Sequence, residues 1–252
     1  MTTATTPLII IPARMAAQRL PGKPLADIGG VPMIVRVLRQ AEAANQGPVW
    51  VAAGDAEIVD AVHAHGGQAV LTDPDLPSGT DRVKAAADRI DPQRRHDLVI
   101  NLQGDMPAVD PAVVSVVVEV LQTEPACDIA TAVAPEGDPT ERTTDSVVKA
   151  VLALAPGAQH GRALYFTRST LYGDGPIWHH LGIYGYRRAA LDQFVAAPPS
   201  PLEQRERLEQ LRAMEMGLRI DAGIAPAAPI SVDTPADLEA VRAQLASAAP
   251  VA

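Results

Sequence analysis

A single cysteine, Cys127, stands in this chain of 252 residues, so no intrachain disulfide can form and the fold must hold by packing alone. A lone thiol among strand-like neighbours reads as a buried core residue rather than a nucleophile. Aromatic residues are scarce as well, 3% of a chain that is 47% hydrophobic, so the core has to be built from Val, Leu, Ile and Ala. Long apolar runs are missing. Leu8–Ile11 is far too short to span a bilayer, and Val113–Leu121 is interrupted by Ser115 and Glu119. The amino-terminal segment lacks the basic region and apolar run of a secretory signal. These absences lead us to expect a cytoplasmic protein with no membrane partner. Positive charge is also short, with 21 Lys and Arg against 30 Asp and Glu and a formal net charge of −9. A duplex-binding protein needs a basic footprint, so nucleic acid is not expected as a partner. If the substrate is anionic, the cations that meet it must be concentrated in one place.

What is present is an alternation of short apolar runs with helical stretches. The length suits a single α/β domain, or one with a small inserted lobe, and is enough to bury a core without disulfides or a structural metal. Leu8–Ile11, Val49–Ala53, Ala69–Leu71 and Leu98–Leu102 read as buried strands. Pro32 opens a helix through about Ala44, and Ile58–His65, Asp81–Ile90 and the segment from Pro111 to Leu121 read as further helices. Continuous apolar strands separated by helices indicate a mostly parallel sheet covered on both faces. Ligands on such sheets bind beyond the carboxyl ends of the strands.

After Cys127 the texture changes. Ile129–Val133, Val147–Leu152 and Leu181–Arg187 look like strands with longer connections, which suggests a small extra lobe of mixed strands over roughly 128–195. Ser200-Pro201-Leu202-Glu203 is a helix start, with a capping serine, proline at the first helical position and an acid three residues on. That helix is expected to run to about Met216 and stop at Gly217. A last helix begins near Thr234-Pro235. The ends, Met1–Thr6 and the tail from Ala246, read as weakly structured, and no internal repeat is found.

The segment most informative about chemistry is Ile11–Leu25, IPARMAAQRLPGKPL, directly after the first strand. It gathers Arg14, Arg19 and Lys23 in a loop with Gly22. Fixed cations with close backbone approach suit a polyphosphate. The glycine spacing before Lys23 is not that of a Walker A loop, and the dinucleotide-binding glycine fingerprint is absent. At the end of the fourth strand, NLQGDMP (Asn101–Pro107) places Asp105 after Gly104, where a carboxylate is able to hold Mg²⁺ or serve in a turn. SVDTPADLE (Ser231–Glu239) reads as a helix cap around Asp233 and Thr234. SGTDR (Ser78–Arg82) reads as a helix start whose backbone N–H groups suit an anion. HLGIYGYR (His180–Arg187) is a strand by pattern, and SPLEQRERLEQLR (Ser200–Arg212) a helix.

Taken in order, these segments resemble the nucleotidyltransferases that make nucleotide-sugars, and in detail the 3-deoxy-manno-octulosonate cytidylyltransferase (CMP-KDO synthetase) family. The resemblance runs from about Leu8 to Leu245. It implies a Rossmann-like nucleotidyltransferase fold and transfer of CMP from CTP to 3-deoxy-manno-octulosonate with release of pyrophosphate, a step of lipopolysaccharide synthesis. By this resemblance Pro12, Ala13, Arg14, Arg19 and Lys23 wrap the CTP triphosphate, and Lys23 favours departure of pyrophosphate. Ser78, Gly79, Arg82, Gln103 and Gly104 meet the nucleotide. Asp105 and Asp233 hold Mg²⁺, and Lys23, Arg14 and Asp105 carry the chemistry. Arg168, His180, Tyr184, Glu209 and Gln210 are assigned to the sugar acid, with Arg168 near its carboxylate. The family suggests a homodimer, with the lobe over roughly 128–195 as its contact and the apolar stretch after Asp110 as a further source of contacts. The chain departs from the family pattern at Met106, where Glu is common, at Ser231, where Gly is usual, and in a trimmed connection between Thr167 and His180.

Overall fold

The computed structural model describes residues 6–16, 19–173 and 175–247. Ala17 and Gln18 of the basic loop, Asp174 of the trimmed connection, and most of the two ends read as weakly structured lie outside the described residues. In chain order the elements are β1 (Leu8–Ala13), β2 (Asp27–Ile28), β3 (Val31–Pro32), α1 (Met33–Ala43), β4 (Val49–Ala53), α2 (Ala56–Ala64), β5 (Ala69–Leu71), α3 (Gly79–Ile90), β6 (Leu98–Asn101) and α4 (Pro111–Thr123). They continue with β7 (Ile129–Pro135), β8 (Lys149–Ala153), β9 (His160–Thr167), β10 (Trp178–Arg187), α5 (Arg188–Ala196), α6 (Pro201–Glu206), α7 (Gln210–Glu215), β11 (Ile220–Ile224) and α8 (Pro235–Ser247). Among the described residues, no helix is long and apolar enough to cross a membrane.

The chain divides into two compact units. One comprises Leu8–Arg95, Asn101–Pro111 and Pro229–Ala252; the other comprises Met1–Pro7, His96–Ile100 and Ala112–Ala228. In the first, β1 pairs parallel with β4, and β4 with β5. Leu8, Ile9, Ile10 and Ile11 are all fully buried, as a run apolar on both faces of the strand requires. Helix α1 turns Met33, Ile34, Val35, Val37, Leu38 and Ala41 inward and packs on β1 and β4. A second cluster, Ile28, Met33, Val232, Leu238 and Val241, fastens α8 and the segment before it to the β2–β3 hairpin region.

In the second unit the pairings are mixed. The strands run in the order β6-β10-β7-β11-β9-β8, and β8 also pairs with the start of β10. The five strands β10, β7, β11, β9 and β8 therefore close into a cycle. Only β7–β11 is parallel among these; β7–β10, β9–β11, β8–β9 and β8–β10 are antiparallel.

Two sequence expectations are corrected here. The apolar stretch after Asp110 is not free for a dimer contact, because Val113, Val114, Val117, Val118, Val120 and Leu121 are all buried within the chain. Their tight seat is visible at Gly185, where a Cβ would meet Val117 at 2.7 Å and Leu121 at 2.8 Å. The helix expected from Ser200 to Met216 is also interrupted. The capping box of Ser200 and Glu203 forms as the sequence predicts, but Arg207 turns left-handed (φ 55°) and ends α6, and α7 starts anew at Gln210. The break lets Leu208 bury its side chain.

Candidate nucleotide site

The basic loop leaves β1 under firm control. Gly54 N–H donates to the Ala13 carbonyl at 2.8 Å, and Met15 N–H donates to Asp55 Oδ2 at 2.7 Å. A short 3₁₀ turn over Lys23–Leu25 then aims Lys23. Its ammonium donates to Asp105 Oδ2 at 3.0 Å, to the Val232 carbonyl at 2.9 Å and to Asp233 Oδ1 at 3.3 Å. Arg19 meets the other oxygen of Asp233 at 3.0 Å. Two carboxylates far apart in sequence thus converge on one ammonium.

Each partner is itself positioned. Gly104 lies against the end of β1, where a Cβ would stand 2.8 Å from the Pro12 carbonyl oxygen. No side chain fits there, and the glycine is what lets Asp105 come this close to the strand. Val232 N–H donates to the Asp105 carbonyl at 2.9 Å, tying the second acidic segment to the first. Asp237, one turn into α8, accepts from the backbone N–H groups of Asp233 at 3.0 Å and Thr234 at 2.8 Å. The helix cap read from the sequence and a cleft-facing Asp233 therefore coexist.

Ser78 caps α3, accepting from Asp81 N–H at 3.1 Å. Arg82 is nearly fully buried. Its guanidinium is committed to the turn after β5, donating to Thr72 Oγ1 at 2.5 Å and to the carbonyls of Asp73 and Pro74 at 3.0 and 3.2 Å. Burial and the neighbouring Arg14 pull its pKa down from the usual guanidinium value. Arg82 thus shapes the wall more than it offers donors. Gln103 donates its amide to Asn101 Oδ1 at 3.3 Å.

These residues surround one cavity of about 840 Å³, whose lining includes Pro12, Ala13, Arg14, Arg19, Lys23, Ser78, Gly79, Arg82, Gln103, Gly104, Asp105 and Asp233 beside Ala16, Leu20, Pro24 and Leu76. All twelve residues expected to meet nucleotide or metal are in that lining. Arg14, Arg19 and Lys23 set three cations against the carboxylates of Asp105 and Asp233, and the amino end of a three-turn helix, α3, adds its positive pole. In a protein of strongly negative net charge, this is the local concentration of cations that an anionic ligand demands. Sequence reasoning missed Asp55 and Asp237, which hold backbone N–H groups in place, Asp237 also accepting from the Thr234 hydroxyl at 2.9 Å; Asp55 directly follows a strand and a glycine, and that placement was the available signal. Met106, at the family's usual Glu, is buried.

The residues assigned to the sugar acid lie in the other unit. Four of them show mutual contacts or unspent polarity. The rings of His180 and Tyr184 stand 5.4 Å apart, and Phe166 meets His180 edge-on at 4.9 Å. Burial, then Tyr186 and Glu209, push the Tyr184 phenol up. Gln210 is buried, and its Nε2 has no hydrogen-bond partner among the described residues. Burial, then His179, hold His180 down at about 3, so the ring is neutral at ordinary pH. Arg168 keeps different company: its guanidinium donates to the carbonyls of Asp145 and Ser146 at 3.1 and 3.2 Å. The buried Lys149 ammonium gathers the Thr144, Val147 and Arg168 carbonyls at 2.9, 3.1 and 2.7 Å. Cys127 is buried as expected, and burial and Asp221 push its thiol up to about 12.

Comparisons with known proteins identify the family. Residues 8–220 match the family model described as Cytidylyltransferase. The 3-deoxy-manno-octulosonate cytidylyltransferase of Paramagnetospirillum magneticum is 55% identical over 241 residues, covering 95% of this chain and 98% of that protein. The protein of the same name from Rhodospirillum centenum is 58% identical, covering 95% and 93%. Among solved structures, CMP:2-keto-3-deoxy-manno-octonic acid synthetase complexed with CTP superposes with a TM-score of 0.86 at 39% identity, over 95% of this chain and 98% of that one. The 4-diphosphocytidyl-2C-methyl-D-erythritol synthase of Anaerococcus prevotii, 11% identical with a TM-score of 0.65 over 97% of this chain and 100% of that one, shares the fold.

Proposed function

Because this chain belongs to the 3-deoxy-manno-octulosonate cytidylyltransferases, within the wider cytidylyltransferase family, we propose that it transfers CMP from CTP to 3-deoxy-D-manno-octulosonate and releases pyrophosphate. The observation that carries this reading is the cavity in which Lys23 bridges Asp105 and Asp233 beside Arg14 and Arg19. In the reaction, the anomeric hydroxyl of the sugar acid attacks the α-phosphorus of CTP. The new P–O bond forms as the bond to the α,β-bridging oxygen breaks, and pyrophosphate leaves in line. The protein's task is to orient the reactants and stabilise phosphate charge. Arg14, Arg19 and Lys23 neutralise the triphosphate and the leaving pyrophosphate. Gly104, pressed against the Pro12 carbonyl, keeps Asp105 beside Lys23 where the phosphates would lie. No protein nucleophile is called for.

Asp105 and Asp233 suit a magnesium ion, since both already serve one cation and Mg²⁺ takes one or two carboxylates together with phosphate oxygens and water. When bound, the ion would lower the pKa of the attacking hydroxyl and polarise the α-phosphate. His180, Tyr184, Glu209 and Gln210 form the sugar-acid site on this reading, supported by the His180–Tyr184 contact and the unspent Gln210 amide. A role for Arg168 at the sugar carboxylate requires its guanidinium to exchange the Asp145 and Ser146 carbonyls for that group. The parallel set β1, β4 and β5, with the ligand residues beyond the ends of β1, β5 and β6, supports a Rossmann-like description of the nucleotide half. A homodimer and a place in lipopolysaccharide synthesis rest on the family resemblance, and cytoplasmic operation on the sequence reading alone.

The test is pyrophosphate release with Mg²⁺, each of the four nucleoside triphosphates, and the sugar acid present or withheld. Release that needs both CTP and this sugar is expected. Release with another triphosphate, or equal release with another sugar acid, overturns the substrate assignment.

A further inference from the structure

Strand β10 is irregular where it passes His180. His180 pairs with Val133 of β7, yet Tyr184, four residues on, pairs with Thr131, only two residues back. The extra residues form a bulge around Gly182, whose φ of 71° is a conformation that favours glycine. The Ile183 carbonyl lies within this bulge. Thr131, fully buried on β7, donates its hydroxyl proton to that carbonyl at 2.6 Å. The same hydroxyl oxygen lies 2.9 Å from His180 Nε2.

The proton count of this pair fixes the imidazole. A carbonyl oxygen only accepts, so the single Thr131 hydroxyl proton goes to Ile183. Toward His180 the hydroxyl is then an acceptor, and Nε2 must carry the hydrogen. A neutral ring protonated at Nε2 has its lone pair on Nδ1, and no described residue shares a hydrogen bond with Nδ1.

We propose that Thr131 is a positioning residue that sets the tautomer of His180, so that the Nδ1 lone pair is presented as an acceptor to a hydroxyl of the sugar acid. The proposal rests on the reading of His180 as a sugar-site residue. It makes the site selective for a donor at that position: an analogue with fluorine or a methyl ether in place of the hydroxyl leaves Nδ1 unpaired. Thr131 also serves the bulge, and the experiment has to separate the two roles.

Long-range ¹H–¹⁵N correlation of the imidazole at neutral pH reads the tautomer without any substitution, and His180→Phe assigns the signal. A single Nε2-protonated form is expected, and an Nδ1-protonated form overturns the proposal even if no variant folds. Thr131→Val keeps the shape and removes the hydroxyl, while Thr131→Ser keeps it. Thr131→Val is expected to mix the tautomers and raise KM for the sugar acid roughly tenfold, the worth of one hydrogen bond, with KM for CTP unchanged and Thr131→Ser restoring both signatures. If KM for CTP and sugar rise together while the tautomer stays fixed, Thr131 is only a brace for the bulge and the proposal fails. If His180→Phe leaves KM for the sugar untouched, the placement of His180 at the sugar is what fails, and the imidazole spectrum still decides whether Thr131 sets the tautomer.

Discussion

Arg212 grips Glu203 with two parallel hydrogen bonds, Nε to Oε2 at 2.7 Å and Nη2 to Oε1 at 2.6 Å, across the left-handed turn at Arg207. The guanidinium also lies over the Phe194 ring, 4.4 Å from its centre, and gives Nη1 to the Phe194 and Ala197 carbonyls at 3.3 and 3.2 Å. The two side chains are 8% and 13% exposed, so the pair is largely shut off from solvent. Removing the Glu203 charge leaves the buried guanidinium with the longer contact to Glu209, at 3.7 Å, in place of a two-point ion pair. Glu203→Gln is expected to lower stability by about 2 to 3 kcal/mol, measured as the shift in urea midpoint at constant slope. An unchanged midpoint would show that α6 and α7 are held without the pair.

Lys23 supports a sharper expectation. Lys23→Met keeps most of the side-chain volume and removes the ammonium that Asp105 and Asp233 share. Asp105 then loses its ammonium partner, while Asp233 keeps Arg19. Turnover is expected to fall at least 100-fold, the usual scale for losing one preorganised charge at a reacting group, and CTP affinity to fall with it. Steady-state pyrophosphate release and calorimetric titration with CTP check the two effects separately. Lys23→Met with normal CTP kinetics would remove the loop from the triphosphate.

Gly104 carries its prediction in its contacts. A methyl group there would sit 2.8 Å from the Pro12 carbonyl and 3.2 Å from Ile34 Cδ1, and the backbone carbonyl is not free to yield. Gly104→Ala is therefore expected to destabilise the protein by about 1 to 3 kcal/mol, as overpacking does, and to displace Asp105 from Lys23. Weaker CTP binding at temperatures where the variant remains folded is the informative result. Destabilisation with intact CTP affinity would confine Gly104 to packing.

Much of this arrangement is legible in the chain because its strongest signals are local. An apolar run followed by three cations in a proline-rich loop marks the nucleotide site, and Ser200 with Glu203 marks a helix start. The unread features lack a local signal of this kind, and several depend on partners far away in sequence. Strand β11 carries Asp221, buried because Arg219 pairs with it at 2.8 Å; a buried charge interrupts the apolar pattern by which a strand is recognised. The break at Arg207 puts a non-glycine residue at positive φ, which no composition signals. Lys23 could be assigned to phosphate from its loop, but its place between Asp105 and Asp233 joins segments 82 and 210 residues away. The Thr131–His180 link needs a strand bulge that shifts register by two residues, and alternation of side chains gives no hint of it.

His180 gives the protein an acid-sensitive stability. Burial, then His179, keep it unprotonated in the folded state down to about pH 3, whereas in the unfolded chain it takes a proton near its ordinary value of about 6.5. Between these two values the unfolded state binds more protons, so stability rises with pH there. The contribution of the neutral ring is fully present above about pH 6.5 and is lost progressively as the pH falls toward 3. Glu203 and Asp237, held below the ordinary carboxylate range by their hydrogen bonds against the opposing pull of burial, add their own losses only below about pH 4.5. The interval from about pH 6.5 to 5 lies above these carboxylate losses, and a variant at position 180 separates this histidine from the other five. Urea midpoints measured across that interval are expected to fall with acidification, and His180→Phe, which keeps an aromatic ring beside Phe166 and Tyr184, is expected to flatten the slope. An equal slope in the variant would assign the acid sensitivity to other groups and leave His180 able to protonate within the fold.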